Sequence, residues 1–522
     1  MSNVVFLYYH LEMSHLYDYQ REGVSWMINQ EVQSRFRGGI LGDDMGLGKT
    51  VQAIALINER KEAVKPTLVC VPASIILQWF DELERFGDSL SIFVFHGSQK
   101  VPGVQLMTFD VVLTTYVMIE IDGRDPDTAI LSSVPWGRVV LDEAHKVRNP
   151  RSATAKTLVN LRAEFRWCLT GTPLQNNISD LYSLIRFLRV SPYCQIFCLQ
   201  CECISLNLPF CVTRTCRECQ CPGSAHYSFF KRIIADQVTS VRASEVFDRI
   251  RNLLSLIMLR RTIEDVPLSL PGLVIEPRLV RLSTEERTFY DILQVSYAES
   301  VRQISREDRF DVLHILTLIL RLTQVANNGV WTEEGVWTDI GRRSSKVNAV
   351  VEEVIRLRTD AKCLIFSRFN STLELLERAL SDEDIKFGKI DGNVSIRSRD
   401  EIVTEFSSDP DFKCLLLSLN ACAEGLNLQS ASHVFLVEPW WNPSLEQQAI
   451  KRCHRIGQTQ SVTVLIFFCE DSIEERVLEI QERKRIFFQA TVDERVGAEL
   501  GLGVEDINRL FQINDSELGF RR

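Results

Sequence analysis

The sequence predicts an α/β protein with two lobes, each a parallel β-sheet flanked by helices, plus helical insertions and a small cysteine-rich insert. Short, apolar, often β-branched runs alternate with helical spacing from about residue 38 to 190, and again from 346 to 470. Such alternation implies parallel sheets with helices on both faces. The predicted domains are a first lobe, the cysteine-rich insert, a helical linker, a second lobe and C-terminal helices, at residues 1–190, 191–230, 231–345, 346–470 and 471–522.

The individual elements follow from the same patterns. In the first lobe the predicted strands are GGIL, TLVCV, SIFVF, VVLTT, RVVLD and RWCLT, and the helices are TVQAIALINER and ASIILQWFDELERF. In the second lobe the predicted strands are KCLIFS, KFGKID, KCLLLSL, HVFLV and TVLIFF. The helical linker is interrupted at LSLPG and at NNGVWTEEGVWTDIGRR.

Composition limits the class of protein. A chain of 522 residues is too long for one core, and its 45% hydrophobic and 25% charged residues are typical of a globular protein. We expect no membrane partner, because no apolar run approaches the roughly 20 residues of a membrane span. The N-terminus does not resemble a secretory signal, so the 15 cysteines suggest a reducing compartment. A net charge of −10 argues against wholesale coating of nucleic acid but permits a local basic track.

The stretch LGDDMGLGKT predicts a phosphate-binding loop, because it lies between a short strand and a helix. The usual pattern begins with glycine, and Asp43 stands in that place. Gly46 and Gly48 allow close approach of the backbone. Lys49 would reach the β- and γ-phosphates, and the Thr50 hydroxyl would ligate Mg²⁺. The alternative is an ordinary glycine turn with a solvated lysine.

An acidic pair supports the nucleotide interpretation. Asp142 and Glu143 directly follow the apolar run Val139-Val140-Leu141, in the same lobe as the loop. In such a Walker-B arrangement Asp142 would hold Mg²⁺ and Glu143 would polarise the attacking water. The alternative is a helix N-terminus that carries favourable acids.

Several motifs together resemble the Swi/Snf-type ATPases of helicase superfamily two. DDMGLGKT, LDEAH, LTGTPLQNN and QQAIKRCHRIGQ resemble its motifs I, II, III and VI, in order. Its motif I normally begins with aspartate, which accounts for Asp43. The resemblance covers about residues 15–490 and includes further motifs, namely YQREGV, DVVLTTY, IMLRRT, CLIFSRF, IDGNVSIRSRD and VEPWWNPSLEQQ.

The resemblance implies two RecA-like lobes with ATP bound between them. The implied nucleotide-binding residues are Gln20, which resembles an adenine reader, and Asp43, Met45, Gly46, Leu47, Gly48, Lys49, Thr50 and Gly425. Arg452 and Arg455 resemble arginine fingers that stabilise charge on the transferred phosphoryl group. The expected catalytic residues are therefore Lys49, Asp142, Glu143, Arg452 and Arg455. For the two arginines the alternative is a solvated helix face.

Family members track along duplex DNA mostly through its phosphates. Five positions match family DNA contacts: Ser74, Thr115, Ser367, Arg368 and Asn420. Trp440 and Trp441 could stack on bases, but we favour packing because they follow a buried-looking strand. One departure affects motif V, residues 420–428, which reads NACAEGLNL where the family has K-A-G-G-x-G-L-N-L. Coupling of hydrolysis to DNA could therefore be altered.

The cysteine-rich insert predicts a zinc site. Eight cysteines fall between residues 194 and 221, and two Cys-x2-Cys pairs, Cys198/Cys201 and Cys216/Cys219, have zinc-ligand spacing. Further candidate ligands for a shared or second site are Cys203, Cys221 and His226. Packed thiols or a disulfide cluster are the alternatives.

The insert also resembles one branch of the family, the Rad-sixteen-like nucleotide-excision-repair proteins. The matching positions are Cys216, Cys219, Cys221, His226, Phe229 and Phe230. That branch normally carries a RING finger between ILRLTQVANN and SSK, whereas this chain has only GVWTEEGVWTDIGRR there, without cysteine. Ubiquitin-ligase activity is therefore not expected.

Together these patterns predict a DNA-dependent ATPase that translocates on double-stranded DNA and remodels protein–DNA complexes or chromatin in nucleotide excision repair. The expected cofactors are ATP, Mg²⁺ and Zn²⁺. The expected partners are duplex DNA and chromatin or a damage-recognition repair protein, and the expected location is the nucleus. The alternatives are a strand-separating helicase, a transcription-linked chromatin remodeller and a non-catalytic scaffold that binds DNA or partners.

Overall fold

A computed structural model gives the fold and shows two compact units. The described residues are 16–97, 101–125, 129–171, 178–206, 215–216, 218–237, 243–267, 270–306, 312–328, 344–419, 426, 428–440 and 443–492. The first unit contains the described residues up to 267 together with 490–492, and the second contains those from 270 to 489. The boundary therefore falls inside the predicted helical linker. The domain limits predicted from the sequence remain predictions.

The first unit is built on a seven-stranded parallel sheet. The strands of this unit are β1 Gly38–Leu41, β2 Thr67–Val71, β3 Ile92–Phe95, β4 Val111–Thr115, β5 Trp136–Asp142, β6 Ala163–Leu169, β7 Ile196–Cys198, β8 Ile204–Ser205, β9 His226–Ser228 and β10 Met258–Leu259. The sheet order is β10-β1-β6-β5-β2-β4-β3. Because β6 alone separates β1 from β5, the carboxyl ends of these two strands lie roughly 10 Å apart at one edge.

Helices cover both faces of this sheet. They are α1 Asp18–Val32, α2 Lys49–Glu59, α3 Ile76–Phe86, α4 Gly103–Leu106, α5 Tyr116–Asp122, α6 Ala153–Asn160, α7 Ile178–Phe187, α8 Phe229–Ile233 and α9 Ala243–Ile257. Successive residues of one strand enter different cores: Leu68 and Cys70 of β2 pack on one face, Val69 and Val71 on the other. This two-sided burial explains why the strands are apolar throughout.

The second unit has a six-stranded parallel sheet. Its strands are β11 Leu273–Val280, β12 Cys363–Ser367, β13 Phe387–Ile390, β14 Cys414–Ser418, β15 His433–Leu436 and β16 Val462–Cys469, in the order β11-β16-β15-β12-β14-β13. Its helices are α10 Thr284–Arg306, α11 Val312–Asn328, α12 Ser345–Arg356, α13 Asn370–Asp382, α14 Ile396–Ser408, α15 Pro443–Cys453 and α16 Ile473–Val492. Two separate cores again cover the two faces.

The cysteine-rich insert forms a sheet of its own, in the first unit. Strands β8, β7 and β9 pair antiparallel in that order, and Cys198 lies opposite His226 across the β7–β9 pair. A sheet this small buries little apolar surface, so its stability needs another source.

The predicted α/β class and all eleven predicted strands are confirmed, with ends that differ by at most a few residues. The helix predicted from Ala73 begins at Ile76, after a 3₁₀ turn at Ala73–Ile75. The prediction missed β10 and β11, which lie in the segment interpreted as mainly helical. Strand β11 contains Pro277 and has mostly exposed residues, and it fits only because it is an edge strand. Among the described residues, no helix has the length and apolar character to cross a membrane.

Candidate active site

The loop between β1 and α2 has the shape that the sequence predicts. Gly46 and Gly48 have φ angles of +92° and +75°, which residues other than glycine rarely adopt. A Cβ on Gly48 would lie 2.6 Å from Gln20 Nε2, at the end of a side chain that could move, so it is the positive φ that favours glycine there. Met45 and Leu47 are buried and anchor the turn from beneath. The loop therefore leads directly into the N-terminus of α2, an arrangement that suits phosphate.

Residues of α1 hold this loop in place. The Tyr19 hydroxyl donates to Leu47 O at 3.0 Å, and Gln20 Nε2 donates to the same oxygen at 3.2 Å. Gln20 Oε1 in turn accepts from Tyr17 N at 3.1 Å. Gln20 thus lies against the phosphate loop. Its predicted contact with adenine stays a prediction.

Lys49 bends over the loop. Its Nζ donates to Asp43 O at 2.7 Å and to Asp44 O at 3.2 Å. The ammonium therefore lies in the cradle of loop carbonyls, which is consistent with the predicted role on phosphates.

Asp43, which replaces the usual first glycine, is fully buried and lies in a polar network. Its Oδ1 accepts from Arg261 Nε at 3.0 Å, and its Oδ2 accepts from Gln52 Nε2 at 3.1 Å. Arg261 also donates to Gln52 Oε1 at 3.0 Å and stacks on the Tyr19 ring at 5.2 Å. The sequence did not predict Arg261 as a site residue, because Arg261 follows Asp43 by more than two hundred positions and only the folded structure brings the two into contact. The one sequence feature that could have indicated Arg261 is its position in the family-like motif IMLRRT.

The acidic pair lies at the carboxyl end of β5. Asp142 Oδ2 accepts from Trp79 Nε1 at 2.7 Å, and its Oδ1 accepts from Glu143 N at 2.8 Å. The pKa of Asp142 is raised to about 6, chiefly by burial and also by the charge of Glu143, against the lowering effect of these two hydrogen bonds and of the charge of Lys49. The charge of Lys49 is close enough to affect the pKa of Asp142, and the joint role of these residues in a nucleotide site stays a prediction.

Glu143 has a left-handed backbone conformation, with φ +48°. This conformation costs a non-glycine residue on the order of 1–3 kcal/mol and occurs at functional sites as well as in turns. His145 Nδ1 lies 3.2 Å from Glu143 Oε2, so the imidazole packs beside the carboxylate. Tyr116 donates its hydroxyl to Asp142 O at 2.6 Å and fixes the turn. His145, Tyr116 and Trp79 support the pair and were not predicted.

The residues present suit Mg²⁺. Thr50 lies in the first turn of α2 and offers a hydroxyl, and Asp142 offers a buried carboxylate with few counter-charges. Hard oxygen donors of this kind are what Mg²⁺ takes, usually with water and substrate phosphates. When bound, the ion would neutralise charge on the phosphate oxygens.

In the second unit, Arg452 lies in the last turn of α15 and Arg455 just beyond it, both half-buried. Gln458 fixes this segment, because its Nε2 donates to Gln429 O at 3.0 Å and to Ala431 O at 2.9 Å. The turn that carries the arginines is therefore well defined. Their role as arginine fingers stays a prediction.

Four predicted DNA-contact residues are described. Thr115 is buried and its Oγ1 accepts from Met118 N at 3.3 Å, capping α5. Ser367 is buried, and its hydroxyl donates a hydrogen bond to Glu438 Oε1 at 3.1 Å. Arg368 stacks on the Trp440 ring at 3.3 Å from its centre, so Trp440 packs within its own unit, as favoured above. Ser74 lies in the 3₁₀ turn after β2. Contact of all four with DNA stays a prediction, and Asn420, Gly425 and Trp441 lie outside the described residues.

All seven predicted zinc ligands come together in the insert. Cys198, Cys201, Cys219 and Cys221 form one group, and Cys203, Cys216, Cys219 and His226 form another. Within each group the ligand atoms lie within 4.8 Å of one another. The two sequence pairs do not share one site, because Cys216 lies in the second group.

Comparison with known proteins decides the family. A model of the SNF2-related domain matches residues 19–330, and one of the helicase conserved C-terminal domain matches residues 345–457. The chain belongs to the SNF2-related family. It is an ATP hydrolase of helicase superfamily two, which confirms the resemblance and the enzyme class predicted from the motifs.

Several curated proteins are similar to this SNF2-related chain. The ATP-dependent helicase rhp16 of Schizosaccharomyces pombe is 31% identical over 95% of this chain and 70% of its own length. DNA repair protein RAD5B of Arabidopsis thaliana is 29% identical over 91% of this chain. DNA repair protein rad8 of Schizosaccharomyces pombe is 27% identical over 96%. The chain spans 47% and 56% of the last two proteins.

Among solved structures, the SWI2/SNF2 ATPase core of Sulfolobus solfataricus in complex with double-stranded DNA is 26% identical. The match covers 96% of this chain and 98% of that one, with a TM-score of 0.42.

Proposed function

We propose that this SNF2-related chain is a DNA-dependent ATPase that translocates on double-stranded DNA and remodels protein–DNA complexes or chromatin in nucleotide excision repair. The observation that carries the proposal is that the glycine loop follows β1 and Asp142 ends β5, two strands of one parallel sheet that only β6 separates. The similar proteins named for DNA repair support the biological setting.

The residues of the first unit have distinct tasks in hydrolysis. Lys49 and the loop amides would bind the phosphates, and Thr50 and Asp142 would hold the metal ion. Glu143, which lies beside His145, would accept a hydrogen bond from the attacking water and align it with the phosphorus. Arg452 and Arg455 would stabilise charge on the transferred group.

DNA is the proposed partner, since family members engage the duplex mainly through phosphates, and this chain has the matching positions Ser74, Thr115, Ser367, Arg368 and Asn420. Chromatin or a damage-recognition protein would be the second partner, and the nucleus the location. The insert would bind zinc, because seven thiol and imidazole ligands converge there. Zinc would supply most of the folding free energy of so small a sheet.

A strand-separating helicase is the second candidate, favoured by the name of the similar protein rhp16. A non-catalytic scaffold is the third, favoured by the altered motif V at residues 420–428. The three differ in which DNA stimulates hydrolysis.

The test is steady-state ATP hydrolysis alone, with blunt duplex and with single-stranded DNA, at fixed salt because phosphate contacts weaken as salt rises. Lys49→Ala should abolish turnover. Lys61→Ala is the matched control, because Lys61 pairs with Asp88 outside the loop. We expect stimulation by duplex that survives in the control and disappears in Lys49→Ala.

A triplex-displacement assay on the same proteins then separates translocation from unwinding. Displacement of a third strand without separation of a forked duplex supports the proposal. Stimulation by single strands only, with fork unwinding, would establish the helicase instead. Absence of hydrolysis with every DNA would establish the scaffold.

A further inference from the structure

The zinc-ligand residues of the insert fall into two groups that share one member. Cys219 belongs both to the group with Cys198, Cys201 and Cys221 and to the group with Cys203, Cys216 and His226. Each of these residues offers a single ligand atom. Two tetrahedral ions need eight coordination positions, and seven ligand side chains converge among the residues that the structure describes. The count is completed if one thiolate bridges both ions.

The backbone places the two groups side by side. Cys198 and His226 are direct partners across the antiparallel β7–β9 pair, so their side chains rise from the same face of the sheet. Cys198 belongs to one group and His226 to the other. Cys219 lies in the turn before β9 and reaches both.

The separations between ligand atoms fit metal coordination. Cys201 Sγ and Cys221 Sγ are 3.9 Å apart, and Cys219 Sγ and His226 Nε2 are 3.4 Å apart. Zinc bonds of about 2.3 Å to sulfur and 2.0 Å to nitrogen in a tetrahedron give ligand separations of about 3.8 and 3.5 Å. A disulfide needs about 2.05 Å between sulfurs, so the 3.9 Å pair is not one.

Hydrogen bonds around the ligands orient them for a metal. His226 Nδ1 lies 3.2 Å from Pro222 O, and because a carbonyl only accepts, Nδ1 carries the proton and Nε2 has the lone pair that faces Cys219. Gln200 N donates to Cys198 Sγ at 3.4 Å. Such outer contacts fix ring orientation and support thiolate charge in metal sites.

We propose that the insert holds two zinc ions bridged by the Cys219 thiolate. One ion is bound by Cys198, Cys201, Cys219 and Cys221, and the other by Cys203, Cys216, Cys219 and His226. Six thiolates and two divalent ions leave a net charge of −2. A single ion would use four ligands of one group and leave the other three clustered side chains without one.

The proposal rests on zinc binding by the insert, and its test distinguishes a failure of the bridged pair from a failure of zinc binding. Native mass spectrometry of the full chain, produced in zinc medium, counts ions directly. Two ions are expected. One ion would overturn the bridged pair and leave zinc binding intact, whereas no ion would overturn both.

¹¹³Cd NMR of the protein without substitutions, after its zinc is exchanged for ¹¹³Cd, tests whether one thiolate bridges the two ions. Two cadmium resonances with mutual scalar coupling through the shared sulfur are expected. Two resonances without coupling would overturn the bridge. This measurement needs no variant, so loss of folding in a cysteine mutant cannot obscure it.

Variants then test the grouping. Cys201→Ser should remove the ion of its group, and Cys203→Ser should remove the ion of the other group. In each variant the remaining ion should give a ¹¹³Cd resonance without scalar coupling. Cys194→Ser is the matched control, because Cys194 is a buried thiol of the same segment outside both groups, and it should retain two ions. Retention of both ions in Cys201→Ser or Cys203→Ser would contradict the assignment. Duplex-stimulated ATP hydrolysis of each protein reports the motor separately.

Discussion

The guanidinium of Arg261 forms a two-point ion pair with the carboxylate of Asp43, with Nε 3.0 Å from Oδ1 and Nη2 2.5 Å from Oδ2. Asp43 is fully buried and the Arg261 side chain is 11% exposed. The pair joins the first residue of the phosphate loop to the segment after β10. It explains how aspartate can stand where other phosphate loops have glycine: its charge is matched within the protein.

We expect Arg261→Ala to destabilise the first unit by about 3–5 kcal/mol, because it leaves the Asp43 carboxylate buried without its cation. KM for ATP should rise, since the loop loses its anchor. Urea unfolding and steady-state kinetics measure both effects. Arg249→Ala is the control, because Arg249 makes only a 4.0 Å exposed pair with Glu245. Equal behaviour of the two variants would show that the ion pair does not hold the loop.

Local features of the sequence predicted much of this protein. The strands are short apolar runs bounded by polar turns, and burial on both faces of each sheet makes that signal strong, as for β2 between its two cores. The glycine loop and the acidic pair could be predicted because each directly follows a strand. Parallel strands then bring both to one edge.

The partners of these residues could not be predicted in the same way. Arg261, Trp79 and Tyr116 reach the site from separate elements, and no periodicity relates them to it. Strand β11 was missed because an exposed, proline-containing edge strand lacks the apolar signal of the buried ones. Such features depend on tertiary contacts, which spacing along the chain does not encode.

Glu143→Gln tests the role of the second acid. We expect kcat to fall by about 10²–10⁴, because an amide cannot act as a general base, while the affinity for ATP changes little. Single-turnover hydrolysis and equilibrium nucleotide binding separate the two quantities. Glu164→Gln, at an exposed ion pair with Arg37, controls for the lost charge. Normal turnover by Glu143→Gln would remove Glu143 from the mechanism.

Arg455→Ala tests the proposed arginine finger. We expect a fall in kcat of about 10³–10⁵ with ATP binding largely retained, because the guanidinium is needed chiefly when charge develops on the transferred group. Steady-state kinetics with saturating duplex measures the fall. The control is Arg356→Ala, at an exposed arginine of α12 that pairs with Glu352 and Glu353. A loss of ATP affinity without a loss of kcat would identify a binding role instead.

Glu438 should make stability depend on pH. Its pKa is raised to about 7, chiefly by burial and also by nearby Glu474, against the lowering effect of the hydrogen bond from Arg368 N, the charge of Lys346 and the hydrogen bond from Asn327. Below the unfolded value of about 4.5 both states hold the proton, so stability is unaffected. Between pH 4.5 and about 7 the unfolded state releases the Glu438 proton while the folded state keeps it. The free energy of unfolding therefore falls as pH rises through this range.

The stability of Glu438→Gln relative to the unaltered chain should therefore rise from pH 5 to 7 and be constant above. Urea unfolding midpoints at several pH values measure this difference. Glu377→Gln, at an exposed carboxylate paired with Lys389, is the control for removal of one charge. A difference that is the same at pH 5 and pH 8 would show that Glu438 does not titrate in this range.

Lys346 and Glu474 form a second buried ion pair, with both side chains 0% exposed. Lys346 Nζ lies 2.6 Å from Glu474 Oε2 and 2.9 Å from Asn327 Oδ1. Lys346→Met should cost about 3–5 kcal/mol, because it leaves a carboxylate buried without its cation. Lys346→Met combined with Glu474→Gln should recover most of this loss, since a neutral amide still accepts the 2.9 Å hydrogen bond from Cys469 N. Urea unfolding of the single and double variants gives the coupling free energy. If the double variant were as unstable as Lys346→Met alone, the cost would come from lost packing of the lysine stem rather than from the stranded charge.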